Sequence, residues 1–136
     1  MNFLVDANVL SEPTKSQPVA AAMNWLLANE TDLAVSAIVL GELQSGILLL
    51  PAGRKRAWLS DWFDKTIARL HVLEFDRETA KIWANLLSDL RRKGRAMLTT
   101  DSLIAATAIQ HDLTIATRNV AHYRHCGARL VNPFEP

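Results

Sequence analysis

Cysteine occurs once in the 136 residues, at Cys126. An internal disulfide is therefore excluded, and so is a zinc cluster built on several thiolates; a reducing compartment and a stability drawn from the core are expected. The N-terminus lacks the basic region and long apolar stretch of a signal peptide, because Asp6 interrupts it after Phe3, Leu4 and Val5. Long hydrophobic runs are also missing. The longest, around residues 47–50 and 105–109, fall far short of the roughly 20 residues that span a bilayer, so a cytoplasmic protein with no membrane partner is expected. Nor is there an excess of either charge. Fifteen Lys and Arg against 14 Asp and Glu leave a net charge of +1, too balanced to imply a polyanionic partner on total charge alone. What remains is 49% hydrophobic and 21% charged, the composition of a packed globule rather than a disordered chain. At this length, with no repeat or linker, residues 1–136 read as a single domain.

Short apolar segments alternate with helical patterns along the chain. Residues 3–5, 33–35, 71–73, 113–116 and 129–131 read as buried strands. A helix is expected from Pro18, with Val19, Met23, Leu26 and Leu27 on its inner face. Ser36 can cap a second helix carrying Val39, Leu40, Leu43 and Ile47. Beyond Pro51, Gly53 and the basic residues Arg54, Lys55 and Arg56, helical spacing joins Trp58, Trp62 and Phe63, tryptophans suited to a core or a subunit contact. Asp76 can cap a helix over Arg77–Arg92 with Ala80, Trp83, Leu86, Leu87 and Leu90 on one stripe, ended by Gly94. Thr99 or Thr100 can cap a last long helix reaching Gln110. Strands that are apolar throughout, rather than alternating, fit a parallel α/β sheet of about five strands with helices on both faces. Ligands of such sheets lie beyond the carboxyl ends of the strands.

Four residues converge on that edge. Asp6 follows the first strand, Glu42 stands on an otherwise nearly uncharged helix, Asp101 opens the helix ending at Gln110, and Asn119 follows the strand over 113–116. Taken singly, Asp6 and Asn119 suit turns and Asp101 suits a helix first turn. Glu42 is costly among apolar neighbours unless paired or metal-bound, the plain alternative being an end-facing glutamate that reaches water. Taken together they form an acidic cleft whose mutual repulsion a hard divalent cation relieves. The scarcity of His and Cys disfavours zinc and copper, leaving Mg²⁺, with Mn²⁺ as substitute. Such an ion activates water and neutralises a phosphodiester, the chemistry of a hydrolytic nuclease.

At these residues the chain resembles the PIN-domain ribonucleases, in particular the VapC-type toxins and their FitB-like branch. The resemblance runs nearly end to end and is carried by FLVDANVLSE at 3–12, SAIVLGEL at 36–43, DSLIAATA at 101–108, ATRN at 116–119, and Asn132 with Pro133. It implies a PIN-like parallel sheet and a Mg²⁺-dependent endoribonuclease site of Asp6, Glu42 and Asp101, with Asn119 at a fourth position that is often aspartate in the family. It also implies a type II toxin with a cognate antitoxin, an RNA substrate and a homodimer. Ala7 stands where the family often has threonine, and His122 with Tyr123 where many members have Asp then Phe; His122 is read as a helix-surface residue. Arg118 is the best-placed RNA contact, ahead of the basic runs at 54–56 and 91–95. Competing readings are a catalytically impaired RNA- or antitoxin-binding module, suggested by Asn119, and a phosphatase with an aspartate nucleophile. The latter wants a second aspartate where Asn8 stands.

Overall fold

The computed structural model describes residues 1–135. Five parallel strands, β1 (Phe3–Val5), β2 (Leu33–Ser36), β3 (His71–Leu73), β4 (Thr114–Ala116) and β5 (Leu130–Val131), pair in the order β3-β2-β1-β4-β5. Leu4 and Val5 are wholly buried, as are Ala34 and Val35. Successive side chains of a strand point to opposite faces, so both faces of the sheet are covered. The covering elements are α1 (Ala7–Leu10), α2 (Ala20–Ala28), α3 (Ala37–Leu48), α4 (Arg54–Lys65), α5 (Arg77–Arg92), α6 (Thr99–Gln110) and α7 (Val120–Tyr123). Among the described residues no helix is long and apolar enough to cross a membrane.

Local chemistry explains where the elements stop and start. The Ser36 hydroxyl accepts from the Val39 amide at 3.1 Å, so β2 passes directly into α3. Asp76 and Thr79 form a reciprocal capping box at the start of α5, each side chain accepting from the other's backbone amide. At the other end Gly94 takes φ +65, its amide donates to Arg91, and the Arg95 amide reaches back to Leu90 at 2.8 Å. That pair of bonds is a Schellman ending, and it needs the left-handed backbone that glycine adopts without strain.

Several expected details differ. The first long helix starts at Ala20 rather than Pro18, and Val19 and Leu27 are exposed instead of facing the core. Ala22, fully buried, takes the inner position. Neither Thr99 nor Thr100 caps α6. The extended residue before the helix is Leu98, which has no capping side chain, and both threonines lie inside the first turn. On α5 the buried stripe runs through Thr79, Leu86 and Leu90, leaving Ala80 and Leu87 on the outer side. Arg54, Lys55 and Arg56 form the first turn of α4 rather than a break before it, and Trp58 is 56% exposed while Phe63 enters the core.

The strand order fixes the place of the site. From β1 the chain steps outward to β2 and β3, then returns to the opposite side of β1 for β4 and β5. The connections beyond β1 and β4 therefore leave in opposite directions and open a crevice at the carboxyl ends of those two strands.

Candidate active site

Asp6 is the first residue past β1, held in that crevice by two donors, with a further hydroxyl in contact. Its Oδ1 accepts from the Ala7 amide at 2.9 Å, and its Oδ2 from the Thr117 hydroxyl at 2.8 Å. The Tyr123 hydroxyl lies 3.2 Å from the same Oδ2. Thr117, wholly buried just beyond β4, also accepts from the Asn119 amide at 3.1 Å and from Asn8 Nδ2 at 3.4 Å. The two strand ends are thus laced together through Asp6.

Asp101 approaches from α6. The Tyr123 hydroxyl is 3.2 Å from its Oδ1 as well, so one phenol touches both carboxylates. The other oxygen, Oδ2, is buried and finds no hydrogen-bond partner among the described residues; the nearest cation-capable group is His122 Nδ1 at 3.8 Å. Burial and the charge of Asp6 raise the Asp101 pKa against the smaller opposing pulls of Tyr123 and His122. A first-turn acid gains from the helix dipole, yet here the loss of water outweighs it.

Glu42 completes the trio from α3. Its side chain is exposed to solvent rather than enclosed by apolar neighbours, because its helix face opens on the crevice. Its pKa is nevertheless raised, by partial desolvation first and then by Asp6 and Asp101. Three carboxylates therefore feel one another although they come from three separate elements. Burial and both aspartates also push the Tyr123 phenol far above its ordinary range, keeping it protonated as a donor.

Asn119 sits at the rim. Its amide is bonded to Thr117, but its side chain is exposed and does not cap α7. Arg118 points elsewhere: its guanidinium carbon lies 4.4 Å from the Phe134 ring centroid, and its charge acts on Glu12. The structure thus joins Asp6 and Asp101 through one phenol, sets Glu42 where their charges act on it, and leaves Asn119 and Arg118 beside them. His122 is exposed on α7, as expected, and its Nδ1 also lies 3.8 Å from Asp101 Oδ2. Thr117 and Tyr123 were not read as site residues from the sequence, although Thr117 lies in the ATRN motif and Tyr123 stands where many relatives have Phe.

The donor set suits a hard cation. The unpartnered, buried Asp101 Oδ2 beside two further carboxyl groups is an all-oxygen donor set of the kind such cations take. Among the described residues no three His, Cys, Asp or Glu side chains form a group that could hold a metal ion.

Residues 3–128 match the PIN domain family. The chain belongs to that family. As a PIN domain it is similar over its whole length to curated proteins: 37% identical to Toxin FitB of Neisseria gonorrhoeae, over 97% of this chain and 98% of that one. It is 31% identical to the VapC ribonuclease Y4jK of Sinorhizobium fredii, over 98% and 99%. Among solved structures, FitAcB from Neisseria gonorrhoeae superposes with a TM-score of 0.93 at 35% identity, covering 98% of this PIN domain and 99% of that chain. PIN ribonucleases are in general metal-dependent.

Proposed function

We propose that this PIN domain, one unit over 1–136, is the ribonuclease toxin of a type II toxin-antitoxin pair, a Mg²⁺-dependent endoribonuclease working in the cytoplasm. The observation that carries the reading is the buried, unpartnered Asp101 Oδ2 standing with Asp6 and Glu42 where the strands end. Similarity to a named toxin and a named ribonuclease supports it. Asp6, Glu42 and Asp101 would hold Mg²⁺, or Mn²⁺ in its place, with Asn119 as a neutral ligand or water anchor at the rim. When bound, the ion supplies a nucleophilic water at neutral pH and neutralises charge on the scissile phosphodiester.

The chain's own residues supply positioning. Thr117 and the Ala7 amide fix Asp6, Tyr123 spans Asp6 and Asp101, and Arg118, exposed beside Asn119, would have to leave the Phe134 ring to meet an RNA phosphate. A toxin of this kind needs a neutralising partner, so a cognate antitoxin and a toxin homodimer within a larger hetero-oligomer are part of the proposal. The test is expression without antitoxin, followed by sequencing of RNA ends, with the purified protein assayed on RNA with Mg²⁺ and with chelator. Discrete new ends and chelator-sensitive cleavage are expected. RNA binding without any cleavage would instead favour the impaired module that the uncharged Asn119 suggests.

A further inference from the structure

Tyr123 is wholly buried, and its ring belongs to the hydrophobic core. A residue that only packed there would gain nothing from a hydroxyl, since burying a polar atom costs free energy unless it is bonded. The hydroxyl instead sits 3.2 Å from Asp6 Oδ2 and 3.2 Å from Asp101 Oδ1. A phenol has one hydrogen to give. Asp6 Oδ2 already receives the Thr117 hydroxyl at the shorter distance of 2.8 Å, and Asp6 Oδ1 receives the Ala7 amide. Asp101 has no comparable donor: its Oδ2 is orphaned and the imidazole of His122 is 3.8 Å off. The phenolic hydrogen is therefore directed to Asp101 Oδ1.

We infer that Tyr123 is a positioning residue for the cation site, tethering Asp101 through Oδ1 so that Oδ2 stays free for the ion and fixing the spacing of Asp101 to Asp6. The inference rests on the metal-dependent reading of the cleft. The tether costs little on binding because core packing already fixes the ring, leaving only the rotation of the hydroxyl hydrogen to be ordered. Hydrogen bonds to ligating carboxylates act in this way elsewhere, and their removal lowers metal affinity without removing a ligand.

The experiment is calorimetric titration of Mn²⁺ into the full chain as wild type, Tyr123→Phe and Asp101→Asn, at fixed pH and ionic strength. Metal-free melting curves and near-ultraviolet circular dichroism are recorded beside it. Tyr123→Phe keeps the ring and removes one oxygen, so its Mn²⁺ Kd is expected to rise by about 10-fold, with the metal-free fold retained and a larger loss in Asp101→Asn. A Kd for Tyr123→Phe within about twofold of wild type, while Asp101→Asn loses binding, would overturn the positioning role and leave the cation reading standing. Absence of Mn²⁺ binding to the wild type would overturn the cation reading and this inference with it. Loss of the folded dichroism signature in Tyr123→Phe would assign the hydroxyl to stability and overturn the inference too.

Discussion

Glu12 and Asp101 are both carboxylates withdrawn from water, and the fold answers them in opposite ways. Glu12 is 1% exposed at the start of a short 3₁₀ turn over Glu12–Thr14. Its Oε2 accepts from the Val19 amide at 2.8 Å, and Lys15 Nζ stands 3.0 Å from Oε1, an ion pair out of hydrogen-bond alignment. The Val19 amide, then Lys15, hold the Glu12 pKa below the usual carboxylate range. Asp101 meets a phenol on one oxygen and has no hydrogen-bond partner on the other, and its pKa is raised. A buried acid with partners ties the loop before α2 to the rest of the fold. A buried acid left short of partners, next to two more acids, is a cost the fold carries for something that binds there.

The largest expected effect breaks the cleft and spares the fold. Asp101→Asn removes charge at almost constant volume, so cleavage of RNA should fall by more than about 100-fold, beyond what residues one step removed from a metal usually cost. Growth arrest on expression should disappear. The metal-free melting temperature should hold or rise, because one source of repulsion is gone. Equal toxicity of the folded mutant and wild type would remove Asp101 from the site.

Glu12→Gln should do the reverse. An amide can still accept from Val19, but its NH₂ then faces the Lys15 ammonium, donor against donor. A drop of several degrees in melting temperature is expected, with cleavage per folded molecule unchanged. If activity fell and stability did not, Glu12 would belong with the cleft and the contrast would be lost.

Acidity separates the two regions without mutation. Asp101 and Glu42 have raised pKa values, so between the ordinary carboxylate pKa of about 4 and their raised values the native metal-free protein binds protons that the unfolded chain has released. Metal-free stability should therefore decline as pH rises through that window. Glu12 and Asp76 have lowered pKa values, and the stability they contribute is present above the ordinary range and lost as pH falls through their lowered values. Excess Mg²⁺ binds the ionised cluster, so the melting-temperature gain from Mg²⁺ should shrink on acidification. Melting curves against pH with and without Mg²⁺ check both limbs, and Asp101→Asn should flatten the upper one.

These contrasts show which parts were legible in the chain itself. The strand at Phe3–Val5, the caps at Ser36 and Asp76 and the stop at Gly94 followed from local rules, because each depends on residues within a few positions. Asp6 and Asp101 were singled out by their places after a strand and at a helix start, and Glu42 as a charge on an otherwise apolar helix. The exposure of Glu42 did not follow, since a helical pattern of apolar neighbours does not say which face the crevice opens on. Thr117 and Tyr123 were opaque for a related reason: they meet Asp6 across 111 and 117 positions of chain, a partnership that only the pairing of β1 with β4 creates. Glu12, read as part of a motif, gave no hint that a loop folds back to cover it. The missing cap at Leu98 reflects a helix buried all round from Ile104 to Ala108 and placed by that packing rather than by its first residue.

The smallest expected effect lies at the rim, where Asn119 holds a position between the two kinds of group. Its backbone amide supports Thr117, and through it Asp6, while its side chain is free of any capping duty. If Asp6, Glu42 and Asp101 suffice for the ion, Asn119→Ala should reduce turnover less than Asp6→Ala or Asp101→Ala, because the backbone bond survives the substitution. Asn119→Asp adds a negative charge at an exposed position. Coulomb attraction should strengthen divalent binding, while repulsion raises the pKa of Asp101 and Glu42 further in the metal-free protein. Solvent screening at the rim keeps the gain modest, so the Mg²⁺ midpoint for cleavage should move down by only a few-fold, on the scale of one partly screened charge pair. Cleavage against Mg²⁺ concentration for wild type, Asn119→Asp and Asn119→Ala, at constant ionic strength so that screening does not mimic affinity, measures the shift. Identical midpoints and rates in the three proteins would make Asn119 a turn residue and confine the site to its three carboxylates.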